Sequence, residues 1–307
     1  MIDSKYRPQV DLLLTLLPSV AKEETFALTG GTAINLFIRD LPRLSVDIDL
    51  RYLPLGDDRK TALNKIAAAL DRIEANVKKA LPDISLTRLP QKEGHDVKLN
   101  CQLGKAHVKV EINTITRGVL QPVKVMQVSD AVQAEFGKFA AIQVVPFGDL
   151  YGGKICAALD RQHPRDLFDI SSLLKKEGIT EEVKYGMIAF LLSHPRPIVE
   201  LLNPHHKDLQ HAFENQFQGM TQQEFSYGDY EATRNDLVKL VRVSLTEKDK
   251  MMLTSFEAGE PKWELYPYKD LRNLPAVQWK LQNIKKLAAD KPEKHKEILK
   301  SLEVALA

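Results

Sequence analysis

The chain has 307 residues, enough to bury a sizeable core and to form one large domain or two smaller ones. Hydrophobic residues make up 44% and charged residues 27%, which excludes a disordered chain and fits a folded globular protein. A net charge of +2 gives no whole-molecule field that announces a nucleic-acid binder and neither supports nor excludes RNA, so any such contact needs a local basic surface.

In chain order, residues 1–20 hold no apolar run long enough for a membrane span and no small-residue cleavage site after a hydrophobic core. Secretion is not expected. Residues 6–20 read as a helix, because Val10, Leu13, Leu14 and Leu17 recur in three- and four-residue steps. A short apolar run, Phe26-Ala27-Leu28, leads to Gly30-Gly31, and the periodic stretch from Ala33 to Ile38 predicts a helix. The alternating, β-branched stretches 45–53 and 107–115 predict strands, and 84–89, 96–103 and 123–128 offer three more. Between them, Leu63, Ile66, Leu70, Ile73 and Val77 mark a helix over 58–80. Asp96 follows Gly94 and His95 and reads as a turn residue.

After Pro146 helical periodicity dominates, with breaks at Pro164, Gly178, Pro195, Pro197, Pro204, Gly219 and Pro261. The expected organisation is therefore α+β: a mixed β-sheet flanked by helices over residues 1–145, then an all-helical half over 146–307. No internal repeat or low-complexity stretch appears. Cys101 and Cys156 lie far apart without paired spacing, which suggests neither a disulfide framework nor a zinc site and suits a reducing cytoplasm. His205-His206 has no ligand-spaced partner and reads as a loop pair. Trp263, Tyr266, Tyr268 and Trp279 are expected to pack the C-terminal helices. The basic residues of 278–300, interrupted by Glu293 and Glu297, read as a solvated helix face.

Three groups of residues point to chemistry. Paired glycines at a strand-to-helix junction let a ligand approach the backbone, and the following helix offers free N–H groups to phosphate oxygens. Taken alone, Gly30-Gly31 is more often just a tight turn. Asp47 and Asp49 stand two apart in a strand, so both carboxylates project from one face while Val46, Ile48 and Leu50 turn to the core. Such a pair repels itself unless a cation intervenes, and hard oxygen ligands on a rigid strand suit Mg²⁺. Glu111 is the candidate third carboxylate of a two-metal site, on one face with Lys109 and Asn113; cross-strand pairing with a basic neighbour is the alternative. In the third group, Lys154 and Arg161 share a face of a helix starting near Asp149, and Pro164 opens the next helix, which carries Arg165, Asp166 and Asp169. Lys154 can neutralise phosphate charge; for Arg161, Arg165, Asp166 and Asp169 a salt-bridge clamp between the two helices stands as the alternative to a catalytic role.

The Gly30-Gly31-Thr32 turn, the Ser45-Val46-Asp47-Ile48-Asp49-Leu50 strand, Lys154 and the Arg165-Asp166-Leu167-Phe168-Asp169 run resemble the AbiEii/AbiGii nucleotidyltransferase toxins of the polymerase-beta-like superfamily. The resemblance covers about residues 25–175 and implies a nucleotidyltransferase fold over 1–145. It implies nucleotide binding by Gly30, Gly31, Thr32 and Lys154, metal binding by Asp47 and Asp49, and catalytic roles for Asp47, Asp49, Lys154 and Asp166. Many superfamily members carry an aspartate where this chain offers Glu111. The implied function is toxicity within a toxin–antitoxin pair, through Mg²⁺-dependent transfer of nucleotides from an NTP to an RNA acceptor such as the tRNA 3′ end, with the helical half holding the acceptor. A cognate antitoxin is the implied protein partner. Modification of a protein or small molecule, and a non-catalytic binding role for the same fold, are the alternatives.

Overall fold

The computed structural model describes residues 6–90, 96–221 and 223–307. Gly94 and His95 lie outside the described residues, and Asp96 opens a strand. Two compact units emerge, one of Met1–Pro146 with Gln218–Glu224, the other of Phe147–Phe217 with Phe225–Ala307.

The first unit is built on a seven-stranded mixed sheet with flanking helices. Its elements are α1 (Arg7–Val20), β1 (Phe26–Thr29), α2 (Gly30–Thr32), β2 (Asp47–Tyr52), α3 (Arg59–Ala80), β3 (Ser85–Pro90), β4 (Asp96–Leu103), β5 (Ala106–Asn113), β6 (Lys124–Gln127), α4 (Asp130–Phe136) and β7 (Ala141–Val144). The strand order is β3-β4-β5-β2-β1-β7-β6. β2 pairs antiparallel with β1 and parallel with β5, which puts it at the centre.

Local sequence explains most of these elements. Val10, Leu13, Leu14 and Leu17 of α1 are buried, as the three- and four-residue steps require. Asp58 caps α3 by accepting from the Thr61 amide, and Leu63, Ile66, Leu70, Ile73 and Val77 form its buried stripe. Alternation in β5 buries Val108, Val110 and Ile112 and leaves His107, Lys109, Glu111 and Asn113 on the other face. The predicted helix at Ala33–Ile38 is a π-helix, an uncommon form often found beside functional sites.

The second unit, as described, is helical throughout. It comprises α5 (Phe147–Arg161), α6 (Pro164–Lys176), α7 (Glu181–Ser193), α8 (Ile198–Leu202), α9 (Gln210–Gln216), α10 (Tyr227–Ser244), α11 (Glu247–Glu257), α12 (Pro275–Asp290) and α13 (Pro292–Leu306). Capping boxes, Ser226 with Asp229 and Thr246 with Asp249, start α10 and α11. His205 and His206 lie in an exposed loop, as their spacing suggests. Tyr266 is buried and donates to the Tyr185 carbonyl, and Trp263 meets Phe256 edge-on. Trp279 departs from the expected packing: it is 65% exposed, because Ala276, Val277, Lys280 and Ile284 take the buried side of α12.

At the crossing of α5 and α7, glycines let two backbones approach. A Cβ on Gly186 would lie 1.9 Å from the Gly148 carbonyl oxygen, and one on Gly152 would lie 2.2 Å from the Gly186 carbonyl carbon. Alanine within a helix ordinarily stabilises it by about 1 kcal/mol over glycine. At Gly186 the sign should reverse, because relief requires moving one helix backbone. We expect Gly186→Ala to lose about 1–3 kcal/mol in urea unfolding, the usual range for overpacking. An unchanged or raised midpoint would show that the crossing yields easily.

Candidate active site

β1 runs into Gly30, whose φ of +74° is a left-handed conformation that favours glycine. Space imposes the same choice, since a Cβ on Gly30 would lie 2.4 Å from the Asp49 Oδ2. One on Gly31 would lie 2.7 Å from the Arg43 guanidinium and 3.0 Å from the Ser45 Oγ. The Thr32 hydroxyl, fully buried, donates to the Asp47 carbonyl and lies 2.9 Å from the Ser45 hydroxyl. Together these contacts fasten the glycine turn to the strand that carries the aspartates. The Thr32 side chain is committed to this scaffold, and the backbone amides are the turn's groups available to an anion.

On β2, Ile48 and Leu50 are fully buried while Asp47 and Asp49 are partly exposed on the opposite face. Val46 precedes the strand and is only half-buried, short of the core position expected for it. The registers set Thr29 beside Asp49 on one side, and Lys109 beside Asp47 and Glu111 beside Asp49 on the other. Arg51, the next residue on this face, is 4% exposed. Sequence reasoning missed it, although the two-residue step that finds the aspartates also finds Arg51.

Glu111 is paired with two lysines. Lys98, its cross-strand neighbour on β4, approaches to 2.8 Å, and Lys109 approaches to 3.2 Å. Burial would raise the Glu111 pKa, but these two ammonium groups hold it below the ordinary carboxylate value. The cross-strand alternative for Glu111 is thus realised. Among the described residues, no group of three or more His, Cys, Asp or Glu side chains is placed to hold a metal ion. The Asp47/Asp49 pair nonetheless offers the donors Mg²⁺ uses when substrate phosphates and water complete its shell. The missing side chain at Gly30 lets the Asp49 carboxylate sit directly against the backbone of the turn.

In the second unit, Lys154 and Arg161 converge on Asp166. The Lys154 Nζ lies 2.8 Å from Asp166 and 3.2 Å from Asp169. Arg161 approaches the same Asp166 carboxylate through Nε at 2.5 Å and Nη2 at 3.0 Å. Pro164 occupies the first turn of α6 and the His163 ring accepts from the Arg165 amide, which starts the helix two residues before Asp166. The Asp166 and Asp169 side chains are 2% and 0% exposed and that of Lys154 is 7% exposed. Burial pushes the Asp166 pKa up, yet Lys154 and Arg161 outweigh it and hold the carboxyl well below the ordinary range. The clamp between two helices therefore exists, and it fixes the Lys154 ammonium in place.

A family model described as "Nucleotidyl transferase AbiEii toxin, Type IV TA system" matches residues 11–283. No curated protein matches the sequence. Among solved structures, the chain is similar to MenT4, a nucleotidyltransferase toxin from Mycobacterium tuberculosis, with a TM-score of 0.60 at 14% identity. That match covers 91% of this chain and 93% of the other. At such identity the likeness speaks for the fold, whereas the family match spans most of the sequence, including every residue of the glycine turn, the aspartate strand and the Lys154 cluster. The chain belongs to the AbiEii family of nucleotidyltransferase toxins, and it is a nucleotidyltransferase.

Proposed function

We propose that this enzyme uses Mg²⁺ to transfer a nucleotide from an NTP to the 3′ end of an RNA, tRNA being the expected acceptor, as the cytoplasmic toxin partner of a cognate antitoxin. The observation that carries the reading is the fastening of the Gly30-Gly31 turn onto the Asp47/Asp49 strand, which couples an anion-accepting backbone to two metal-binding carboxylates.

In this reading the amides of the turn receive the triphosphate, and Asp47 and Asp49 hold Mg²⁺. Bound there, the metal would supply charge neutralisation and polarise the α-phosphate. The acceptor ribose hydroxyl forms a bond to the α-phosphorus as the bond to the α,β-bridging oxygen breaks. Pyrophosphate leaves, and the hydroxyl proton passes to a carboxylate of the same sheet face. Glu111 joins the metal-binding set only by exchanging a lysine partner. From the helical unit, Lys154 is proposed as the cation for the phosphates, with Asp166 as the group that positions it. The helical unit is proposed to contribute acceptor contacts.

Incubating the protein with each labelled NTP and Mg²⁺, and with total RNA or a protein extract, tests the acceptor. Label in RNA supports the reading; label confined to proteins would replace it with a protein-modifying activity.

Replacing both Asp47 and Asp49 with Asn should abolish transfer while leaving the thermal melt unchanged or higher, since a repelling pair is removed without change of shape. Retained transfer by the folded double variant would refute the assignment. Lys154→Ala should reduce turnover by roughly 30- to 1000-fold, the loss of one charged contact in the transition state. It should also cost about 3–5 kcal/mol of stability, because the buried Asp166 and Asp169 lose the cation they share, although Asp166 keeps Arg161. Lys154→Arg separates the two effects by keeping the charge.

Acid titration provides a further check. The Asp166 pKa is depressed in the folded state, so its stabilisation is complete above the unfolded value near 4 and is lost as pH falls below it. Removing Lys154 should move that acid loss to higher pH. A melt with the same pH dependence in both proteins would show that Lys154 does not set the Asp166 titration.

A further inference from the structure

The carboxylates of β2 are flanked by two different chemistries. On the β1 side lies the glycine turn with its backbone amides, and on the β5 side lies Lys109, followed on β4 by Lys98. Both lysines stand on the sheet face that carries Asp47 and Asp49, and their side chains are 38% and 31% exposed. Adjacent strands are about 4.8 Å apart, so this basic pair begins one strand from the aspartates.

The order of the strands gives these lysines a direction relative to the reaction. Attacking and leaving oxygens lie roughly in line across the phosphorus. With the triphosphate on the β1 side, the leaving group departs toward the glycine turn and the incoming hydroxyl arrives from the β5 side. The strand that carries this hydroxyl must then pass over β5 and β4, where Lys109 and Lys98 are. Glu111 is shared between both ammonium groups, Asp47 stands beside Lys109 in the register, and each ammonium has three donors, more than one carboxylate uses. Exposed pairs of this kind contribute little to stability, so a purely structural role gives small reason for two lysines on one carboxylate. Beyond them the face continues with uncharged hydrogen-bonding groups: Asn100 lies beside Lys109, and Thr87 beside Asn100.

We infer that Lys98 and Lys109, held in position by Glu111, bind the phosphodiester backbone of the acceptor strand next to its reactive 3′ end. The inference rests on RNA being the acceptor. It gives Glu111 the task of spacing two cations, and it places acceptor contacts on the catalytic sheet itself.

The test uses the full-length protein and a 5′-fluorescein single-stranded RNA oligonucleotide with a free 3′ hydroxyl. Binding is followed by anisotropy across a salt series, and labelling with each NTP is measured in parallel. The Lys98→Gln/Lys109→Gln variant should bind the oligonucleotide about ten-fold more weakly. Its slope of log affinity against log salt should flatten by about 1.4, or about 0.7 for each lost phosphate contact on a single strand. The KM for NTP should stay at the wild-type value. Lys98→Arg/Lys109→Arg should restore RNA affinity, and Glu111→Gln should weaken RNA binding through loss of lysine positioning. A thermal melt and the two single Gln variants guard against misfolding of the double variant. The inference is overturned if the folded Gln variant binds RNA like wild type, or if the loss falls on the KM for NTP. Failure of the wild-type protein to bind and label RNA with any NTP would instead overturn the RNA reading itself.

Discussion

The space a side chain on residue 30 would need is already taken by Asp49. This single exclusion fixes much of the candidate site. It lets the left-handed turn after β1 press against the aspartate strand, and the buried Thr32 and Ser45 hydroxyls then lock the two segments together. A glycine turn and a pair of acidic residues are each ambiguous when separate. Fastened to one another, they bring backbone N–H donors and carboxylate oxygens within reach of one polyanionic ligand and its counter-ion.

Much of this was legible in the sequence because it depends on short periods. Alternation over 45–53 and 107–115 gave both the strands and the faces of Asp47, Asp49 and Glu111, since a strand's side chains repeat every two residues. The residues of α1 and α3 that face inward followed from the helical period in the same way. The mixed sheet with flanking helices and the family were readable from these patterns together with the motifs.

What escaped depends on contacts between segments. The pairing of Glu111 with Lys98 is a matter of register between β4 and β5, which no periodicity within either strand determines. The strand β7 has only four residues, and α4 only seven, too few to show a period. Glycines at 148, 152 and 186 look like helix-weakening residues until the crossing of α5 and α7 is known. Trp279 was expected to pack, because residue type suggests burial, but its position on α12 lies off the stripe set by Val277, Lys280 and Ile284.

The two acidic clusters differ in how their charge is compensated, and that difference bears on their roles. Asp166 and Asp169 are buried against Lys154, a covalently attached cation that cannot leave, so their negative charge is satisfied before any ligand arrives. Asp47 and Asp49 are partly exposed, and the lysines of their sheet face are bound to Glu111. A carboxylate neutralised permanently by the protein serves to hold a side chain still. One left accessible beside an open backbone turn can take a cation that comes and goes with substrate. By this criterion the Asp166 cluster is suited to positioning Lys154, and the partly exposed Asp47/Asp49 pair is the candidate for the proposed exchangeable metal.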